Sequence, residues 1–243
     1  MVREIEINKV KDFLKTGEFL KIQQVWSSNY VFLATLQDQN SEEIHAIYKP
    51  QTGETPLWDF PEGTLYKREV AAYELASILG WEFVPPTVVR NGPEGIGSLQ
   101  LFIPHDQNSH FFEQRENTTL VSQLKKMCLF DALSNNADRK GGHCLLDEKQ
   151  QIWGIDHGLC FHSEGKLRTV IWDWANEIIE ENLLKDVQEV IIAITEKLEK
   201  TALLHELLTA EEISALLNRA AVLINEKCYP YPGIDRPYPW PLI

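Results

Sequence analysis

The fold is decided by Asn135-Asn136-Ala137-Asp138-Arg139-Lys140-Gly141-Gly142-His143-Cys144-Leu145-Leu146, followed shortly by Trp153-Gly154-Ile155-Asp156-His157-Gly158. Acids, cations, a histidine and glycines are concentrated here between apolar runs, which predicts a polar loop and then a short hairpin that turns at Glu148-Lys149-Gln150. Catalytic groups are usually found on loops that a rigid scaffold holds in place. We therefore expect Asp138, His143 and Asp156 to form the chemical centre of the protein, with both aspartates near the same end of the hairpin.

The composition excludes several classes of partner. The chain has 243 residues, and its 23 Lys+Arg against 36 Asp+Glu give a net charge of −13. This charge repels nucleic acid and anionic membrane surfaces. The longest apolar stretch is too short to span a bilayer, and the N-terminus lacks the apolar segment of a signal peptide. We expect a cytoplasmic globular protein without a transmembrane segment.

The four cysteines are widely spread and form no Cys-x-x-Cys pair. This spacing predicts reduced thiols rather than a disulfide framework or a structural zinc site. One alternative gathers a set of nitrogen and sulfur ligands around zinc, although its spacing matches no standard zinc pattern. That set is His143, Cys144, His157, Cys160 and His162.

The first half of the chain predicts an antiparallel meander. Alternating apolar residues indicate strands at 19–25, 30–36 and 43–49, separated by turn-forming segments. Pro50 ends the third strand, so Lys49 lies at its end. A lysine in this position is commonly a solvated edge residue, and its alternative role is to bind an anion.

A helix and two further strands complete the first half. The helix is expected at about 65–79, with Glu69 on the same face as Ala72, Tyr73 and Ala76, and strands are expected at 87–90 and 97–103. The segment Pro104-His105-Asp106-Gln107-Asn108 interrupts this pattern. We therefore predict a lobe boundary there, with an N-terminal lobe of residues 1–103 and a C-terminal lobe of residues 104–243.

The second half is mainly helical. Helices are expected at about 119–133, 183–200 and 210–227, and the last of them begins with the capping box Thr209-x-x-Glu212. The proline-rich tail after Tyr229 is either an arm wrapped around the protein or a segment that binds a protein partner.

This order of elements resembles the protein-kinase-like fold, an α+β fold with two lobes. The N-lobe of that fold is an antiparallel sheet plus one helix, and the C-lobe is mainly helical. The motifs Asp138-Arg139-Lys140-Gly141-Gly142-His143 and Asp156-His157-Gly158 are similar to those of its atypical branch, the phosphoinositide 3-/4-kinase-like enzymes. HipA-like and Fam20-like kinases belong to the same branch. The resemblance covers residues from about 19 to 175.

The resemblance implies a nucleotide site between the lobes. Lys49 corresponds to the lysine that neutralises the α- and β-phosphates, and Glu69 to its ion-pair partner. Ser27 and Ser28 occupy the place of the glycine-rich loop but provide no glycine, so their N–H groups would approach phosphate less closely. The adenine-contacting hinge is expected at Gln100, Leu101 and Phe102.

The resemblance also implies roles in the opening stretch. Asp138 corresponds to the group that accepts the proton of the acceptor hydroxyl or orients it. Asp156 corresponds to a ligand of Mg²⁺. His143 stands where the family has an asparagine as second metal ligand, so either fewer metal ions bind, Mn²⁺ is used, or His143 contacts phosphate. Arg139 and Lys140 either contact phosphate or are ordinary loop charges.

The expected function is transfer of a phosphoryl group from ATP, with Mg²⁺ or Mn²⁺, to the hydroxyl of a protein or a small metabolite. One alternative is a non-enzymatic nucleotide-binding module, a pseudokinase, which His143 and the absence of glycine from the phosphate loop favour. Another is a nucleotidyl transferase on the same fold. The net charge of −13 argues against docking on an anionic lipid surface.

Overall fold

The computed structural model of the protein describes residues 2–25, 29–233 and 236–243. Its helices and strands are, in chain order, α1 Val2–Thr16, β1 Glu18–Val25, β2 Val31–Gln37, β3 Glu43–Pro50, α2 Leu65–Ile78, β4 Thr87–Gly92, β5 Gly95–Leu101, α3 Phe111–Gln114, α4 Val121–Ser134, β6 Cys144–Leu146, β7 Ile152–Gly154, α5 Glu181–Thr195, α6 Ala202–Leu207 and α7 Ala210–Glu226. The first five strands form one antiparallel sheet, and the rest of the chain is mainly helical. The predicted α+β fold, with an antiparallel sheet in the first part of the chain and a mainly helical second part, is confirmed.

The five-stranded sheet has the order β1-β2-β3-β5-β4, with β3 in the centre. Strand β5 pairs with β3 so that Ser98 lies opposite Lys49 and Gly97 lies opposite Pro50. A Cβ atom on Gly97 would be 2.3 Å from the carbonyl oxygen of Lys49. Only glycine permits this approach, and the close pairing holds the end of β3 that carries Lys49.

Helix α1 was not predicted from the sequence. Its residue Leu14 is fully buried in a small core with Ala34, Leu36 and Tyr48 of the sheet. The guanidinium of Arg90 donates hydrogen bonds to the carbonyl oxygens of Leu14 and Gly17, which satisfies the end of the helix. The N-terminal sheet is therefore covered by α1 as well as by α2.

Helix α2 packs mainly into the larger of the two cores. Its residues Ala71, Ala72 and Leu75 are fully buried and belong to the same apolar cluster as Leu124 and Leu129 of α4. Helix α2 also contacts β4, β5 and α6. The division into lobes at residues 103 and 104 stays a prediction, and α2 is the element through which the two parts share a core.

The predicted helix at 183–200 is wrong over its last five residues. Helix α5 ends at Thr195, and Lys197 has a left-handed backbone with φ 52°. A 3₁₀ turn at Glu199–Thr201 and the short α6 follow. Helix α7 begins as predicted, because the Thr209 hydroxyl accepts a hydrogen bond from the Glu212 N–H and the Glu212 carboxylate accepts one from the Thr209 N–H.

The described part of the proline-rich tail is packed as a wrapped arm. Its Pro237 carbonyl accepts hydrogen bonds from the Thr169 N–H at 3.1 Å and the Trp172 indole at 3.2 Å, and its Leu242 carbonyl accepts one from the Gly141 N–H at 2.7 Å. A protein partner for this tail stays a prediction. Among the described residues, none of the helices combines the length and apolarity that crossing a bilayer requires.

Candidate active site

Lys49 points from the end of β3 into a cleft between the sheet and the polar loop of residues 135–143. Its Nζ donates hydrogen bonds to the Glu69 carboxylate and, at 2.8 Å, to Asp156 Oδ1. Burial by itself would lower the pKa of Lys49, but the charges of Asp156 and Glu69 outweigh it and raise this pKa above its usual value. The ammonium group therefore stays charged between two carboxylates.

Glu69 connects three elements of the site. Its side chain on α2 is only 3% exposed. One carboxylate oxygen accepts a hydrogen bond from Lys49, and the other accepts one from the backbone N–H of His157 at 3.0 Å. The carboxylate thereby ties β3 and α2 to the chain that follows Asp156.

Asp156 has a left-handed backbone, with φ 61°. Aspartate and asparagine adopt this conformation more readily than most residues. Its side chain is 47% exposed toward the cleft. The positive charge of Lys49 holds the pKa of Asp156 well below its ordinary value, against the opposite effect of burial. The carboxylate is therefore ionised and accessible.

The ring of His143 lies beside the second oxygen of Asp156. Its Nδ1 accepts from the Lys140 N–H at 3.4 Å, and its Nε2 lies 3.2 Å from Asp156 Oδ2. Because Nδ1 is an acceptor, the proton of the neutral ring belongs on Nε2. Burial lowers the pKa of His143 from 6.5 to about 4. The imidazole is therefore uncharged at neutral pH.

Asp138 lies on the same cleft as Asp156. Its backbone N–H donates to Asn136 Oδ1 at 3.0 Å, and its Oδ2 forms an ion pair with Lys140 Nζ at 3.1 Å. Burial raises the pKa of the Asp138 carboxyl above its ordinary value, although the Lys140 charge opposes this. A carboxylate with a raised pKa is better suited to accept a proton near neutral pH.

The cleft has a volume of about 460 Å³. Five of the residues predicted to be functional line it together, namely Lys49, Glu69, Asp138, His143 and Asp156. Its apolar surface comes from Val31, Ile47, Leu57, Ile155 and Leu159, among others. An apolar pocket with a few convergent charged groups is the usual form of a small-molecule site.

The predicted phosphate loop lies largely outside the described residues. Ser27 and Ser28 belong to the segment 26–28, which the structure does not describe. The residues on either side of it, Val25, Asn29 and Tyr30, line the cleft. The assignment of Ser27 and Ser28 to phosphate contact stays a prediction.

The predicted hinge residues are not among the described residues that line the cleft. Gln100 is buried, and its amide donates to the Thr87 hydroxyl at 2.9 Å. The backbone N–H groups of Leu101 and Phe102 donate to Pro86 and His45 at 2.9 and 3.0 Å. These donors are used within the protein, and the assignment of Gln100, Leu101 and Phe102 to adenine contact stays a prediction.

Arg139 was predicted either to contact phosphate or to be an ordinary loop charge, and it is not among the described residues that line the cleft. The side chain is fully buried and forms an ion pair with the equally buried Asp131. Its remaining N–H groups reach the carbonyl oxygens of His143 and Ile155, at 3.3 and 2.8 Å, and His157 Nε2 at 2.7 Å. Arg139 therefore holds the backbone at His143 and Ile155 in place from the interior of the protein.

The sequence did not identify Glu54 as part of the site. Its carboxylate accepts hydrogen bonds from the first backbone N–H groups of α2, those of Leu65 at 3.1 Å and Tyr66 at 2.8 Å, and it lines the cleft. It belongs to the loop of residues 51–64, which also forms an ion pair from Asp59 to Lys166 at 2.9 Å. An acid far upstream of a helix matches no local capping pattern, so sequence spacing gave no signal for this role.

The cleft suits a divalent cation that is held mainly by phosphate oxygens. In the described part of the chain, no three His, Cys, Asp or Glu side chains come together as a metal cage. Mg²⁺ commonly binds through one or two carboxylates together with substrate phosphates. The exposed, ionised carboxylate of Asp156 with His143 beside it fits such a partial ligand set.

The amino-acid sequence is similar to one protein family and to individual proteins from a bacterium and a plant. A protein-family model described as "Phosphatidylinositol 3- and 4-kinase" matches residues 23–225. The Mycobacterium tuberculosis protein named Protein Rv2133c is 37% identical, over 94% of this chain and 93% of its own length. Phosphatidylinositol 4-kinase gamma 2 of Arabidopsis thaliana is 29% identical over 65% of this chain, and the matched region is 34% of that protein.

Comparison with solved structures supports the fold alone. Two crystal structures of the Golgi casein kinase, the second described as having Mn/ADP bound, align with TM-scores of 0.59 and 0.58 at 14% sequence identity. The alignments cover 97% and 99% of this chain, and 78% and 81% of the chains compared. These values show a shared arrangement of elements.

Proposed function

The chain belongs to the phosphatidylinositol 3- and 4-kinase family, and from this premise we propose that it is an ATP-dependent phosphotransferase that acts on the hydroxyl group of a protein or a small metabolite. The observation that carries the proposal is the ion-pair cluster at the cleft. Lys49 reaches both Glu69 and Asp156, while Asp138 and His143 line the same cleft. A cation between two carboxylates, beside a separate carboxylate of raised pKa, is the set of groups that phosphoryl transfer requires.

ATP would bind with its phosphates toward Lys49 and its base toward the apolar surface of the cleft. The ammonium group of Lys49 would neutralise phosphate charge, and Glu69 would hold that group in position. The side chains of Ile47 and Val31 offer an apolar wall. Asn29, which follows in sequence the segment proposed to contact the phosphates, also lines the cleft.

Asp156 and His143 would hold the metal ion, either Mg²⁺ or Mn²⁺. When bound, such an ion neutralises the negative charge of the phosphates. The described groups supply one carboxylate and one imidazole, and an imidazole is a better ligand for Mn²⁺ than for Mg²⁺. To bind through Nε2, the ring would carry its proton on Nδ1 and give up the contact with the Lys140 N–H. The Golgi casein kinase structure with Mn/ADP bound has the same fold and makes Mn²⁺ a reasonable first metal to test.

Asp138 would act on the acceptor. In the proposed reaction the acceptor hydroxyl oxygen forms a bond to the γ-phosphorus of ATP, and the bond from that phosphorus to the oxygen bridging the β- and γ-phosphates breaks. The hydroxyl proton moves to the Asp138 carboxylate, and ADP leaves. Lys140, paired with Asp138 at 3.1 Å, would hold the carboxylate toward the cleft.

The net charge of the protein indicates the class of molecule that accepts the phosphoryl group. A net charge of −13 opposes binding to an anionic lipid surface. The relative named phosphatidylinositol 4-kinase matches this chain over only 34% of its own length, and a shared fold does not determine a substrate. A soluble protein or metabolite hydroxyl is therefore the acceptor we propose.

The proposal is tested by ATP turnover with Mg²⁺ and with Mn²⁺, measured as ADP release and as phosphate incorporated into protein substrates or metabolite pools. We expect turnover in the wild-type protein and its loss in Asp138→Ala. The exposed acid Glu148, which lies beyond the site on the β6–β7 turn, provides the control variant Glu148→Ala. Turnover that is equal in Asp138→Ala and the wild type would show that Asp138 has no such role.

The second candidate is a nucleotide-binding module without transfer activity. The 3.2 Å contact between His143 Nε2 and Asp156 Oδ2 favours it, because the ring lies against one of the oxygens that a metal ion would use. ATP binding without ADP formation under either metal would support this candidate. Mass spectrometry of a modified product separates phosphoryl transfer from nucleotidyl transfer, since the first adds a phosphate and the second adds AMP.

A further inference from the structure

Arg68 lies next to Glu69 on α2 and is buried, with 2% of its side chain exposed. Its guanidinium reaches three other parts of the chain. It donates to the Cys160 carbonyl at 2.7 Å and to the Glu212 carboxylate, and it lies over the Phe60 ring at 4.9 Å from the centroid. One side chain therefore connects α2 to the loop 51–64, to the segment after Asp156, and to α7.

Glu212 is itself held in place. One of its oxygens accepts from Arg68, while the other accepts from the Thr209 N–H at 2.9 Å as part of the capping box of α7. A buried arginine paired with a carboxylate that is already oriented has little freedom to move. The ion pair therefore fixes Arg68 relative to the helical part of the protein.

The neighbouring contacts of α2 point to the same segment. Glu69 accepts the backbone N–H of His157, while Arg68 donates to the carbonyl of Cys160. Two consecutive residues of α2 thus hold the segment 156–161 at both ends. A buried pair by itself is weak evidence for stability, so the double attachment suggests a role in geometry.

We propose that Arg68 is a positioning residue that holds α2 and the segment 156–161 in one arrangement, so that Glu69 reaches both Lys49 and His157 before any ligand binds. The proposal rests on the phosphotransferase function proposed above. It adds which side chain keeps the ion pair of Lys49 and Glu69 assembled.

The test compares Arg68→Met with Lys67→Met, which removes a cation from the adjacent, half-buried position on α2. Hydrogen exchange at the His157 amide is measured without nucleotide, and kcat and KM for ATP are measured separately. In Arg68→Met we expect faster His157 exchange and a fall in kcat of about 10- to 100-fold, as small misplacements of catalytic groups produce. Lys67→Met should behave as the wild type does.

A double variant separates positioning from stability, because Arg68→Met leaves Glu212 without its cation and can impair folding. Replacing both partners, as Arg68→Met with Glu212→Gln, removes the unpaired charge, keeps a side-chain oxygen for the Thr209 N–H of the capping box, and should restore the melting temperature. It still leaves the Cys160 carbonyl without its donor, so we expect kcat to stay low and His157 exchange to stay fast. Wild-type kcat and exchange in this double variant would overturn the proposal.

The variant Thr209→Ala serves as a second control. It removes the side-chain cap of α7 while leaving the Arg68 contacts to Cys160 and Glu212 in place. Exchange should rise in the first turn of α7 and remain unchanged at His157. Faster His157 exchange of the same size as in Arg68→Met would mean that loosening α7 alone explains the effect, and would also overturn the proposal.

The two proposals can fail separately. If the wild type shows no turnover, the phosphotransferase function fails, while His157 exchange still tests whether Arg68 holds the segment. If the wild type turns over ATP and Arg68→Met equals it in kcat and in exchange, the positioning role fails and the function stands.

Discussion

Two networks of charged side chains meet at residues 155–157, and they differ in their exposure. In the cleft network, Lys49 and Asp156 have 24% and 47% of their side chains exposed. In the buried network, Asp131 and Arg139 are both 0% exposed. Asp131 also accepts from Asn136 Nδ2 at 3.0 Å.

This difference in exposure indicates that the buried network supports the structure and that the cleft network is available to bind a ligand. The donors and acceptors of the buried network are satisfied inside the protein, which makes such a network rigid and costly to break. The groups of the cleft face solvent and share partners, so a phosphate or a metal ion can replace one of those partners. We expect stability to depend mainly on Asp131 and Arg139, and activity mainly on Lys49 and Asp156.

Arg139→Met should have the largest effect, and it should act on stability. It leaves Asp131 as an unpaired buried charge and removes the donors to the His143 and Ile155 carbonyls. We expect the free energy of unfolding to fall by about 3–5 kcal/mol, as measured by chemical denaturation. A fall of less than about 1 kcal/mol, the scale of an exposed pair, would remove the distinction between the two networks.

Asp156→Asn should have the opposite outcome, a large loss of activity with little loss of stability. Asparagine tolerates the left-handed backbone at this position, where φ is 61°, and Lys49 keeps its bond to Glu69. We expect turnover to fall about 10²- to 10³-fold, as when one preorganised electrostatic group is removed. The free energy of unfolding should change by no more than about 1 kcal/mol, because the group is half exposed. A stability loss as large as that of Arg139→Met would assign Asp156 to the scaffold.

The sequence was sufficient to predict those site residues that are recognised by their local pattern and their order along the chain. The strand that ends at Lys49, the helix face of Glu69 and the two loop aspartates follow from local patterns, and these residues converge on one cleft. The sequence left the role of Arg139 open, because an arginine beside a candidate catalytic aspartate can face either the cleft or the interior of the protein. Only its buried partner Asp131, on the preceding helix, decides the direction.

Other parts could not be predicted because they depend on distant contacts. The bond from Glu54 to the start of α2 and the bond from Arg68 to Cys160 join segments 11 and 92 residues apart. Helix α1 carries its apolar residues without a clear capping signal, and it is stabilised by packing on the sheet. Tertiary packing decides such elements more than local propensity does.

His143→Asn sharpens the comparison within the cleft network. An amide oxygen is a harder ligand than imidazole, so it suits Mg²⁺ better. We expect the ratio of Mg²⁺-supported to Mn²⁺-supported turnover to rise about tenfold, the lower range for changes close to a metal site. His143→Ala is the control, and it should lower turnover with both metals. An unchanged ratio in His143→Asn would indicate that His143 does not contact the metal ion.

Glu54→Ala should have the smallest effect. It tests whether a residue that lines the cleft also contributes to the stability of the fold. The substitution leaves the Leu65 and Tyr66 N–H groups at the start of α2 without their acceptor. Loss of such a cap lowers stability by about 1 kcal/mol, as measured by thermal or chemical unfolding. The exposed Glu62 lies in the same loop, so Glu62→Ala provides a control that should change stability less. If the two variants are equally stable, Glu54 does not stabilise the start of α2. Its role would then be confined to the cleft, and the cleft residues would again make no large contribution to stability.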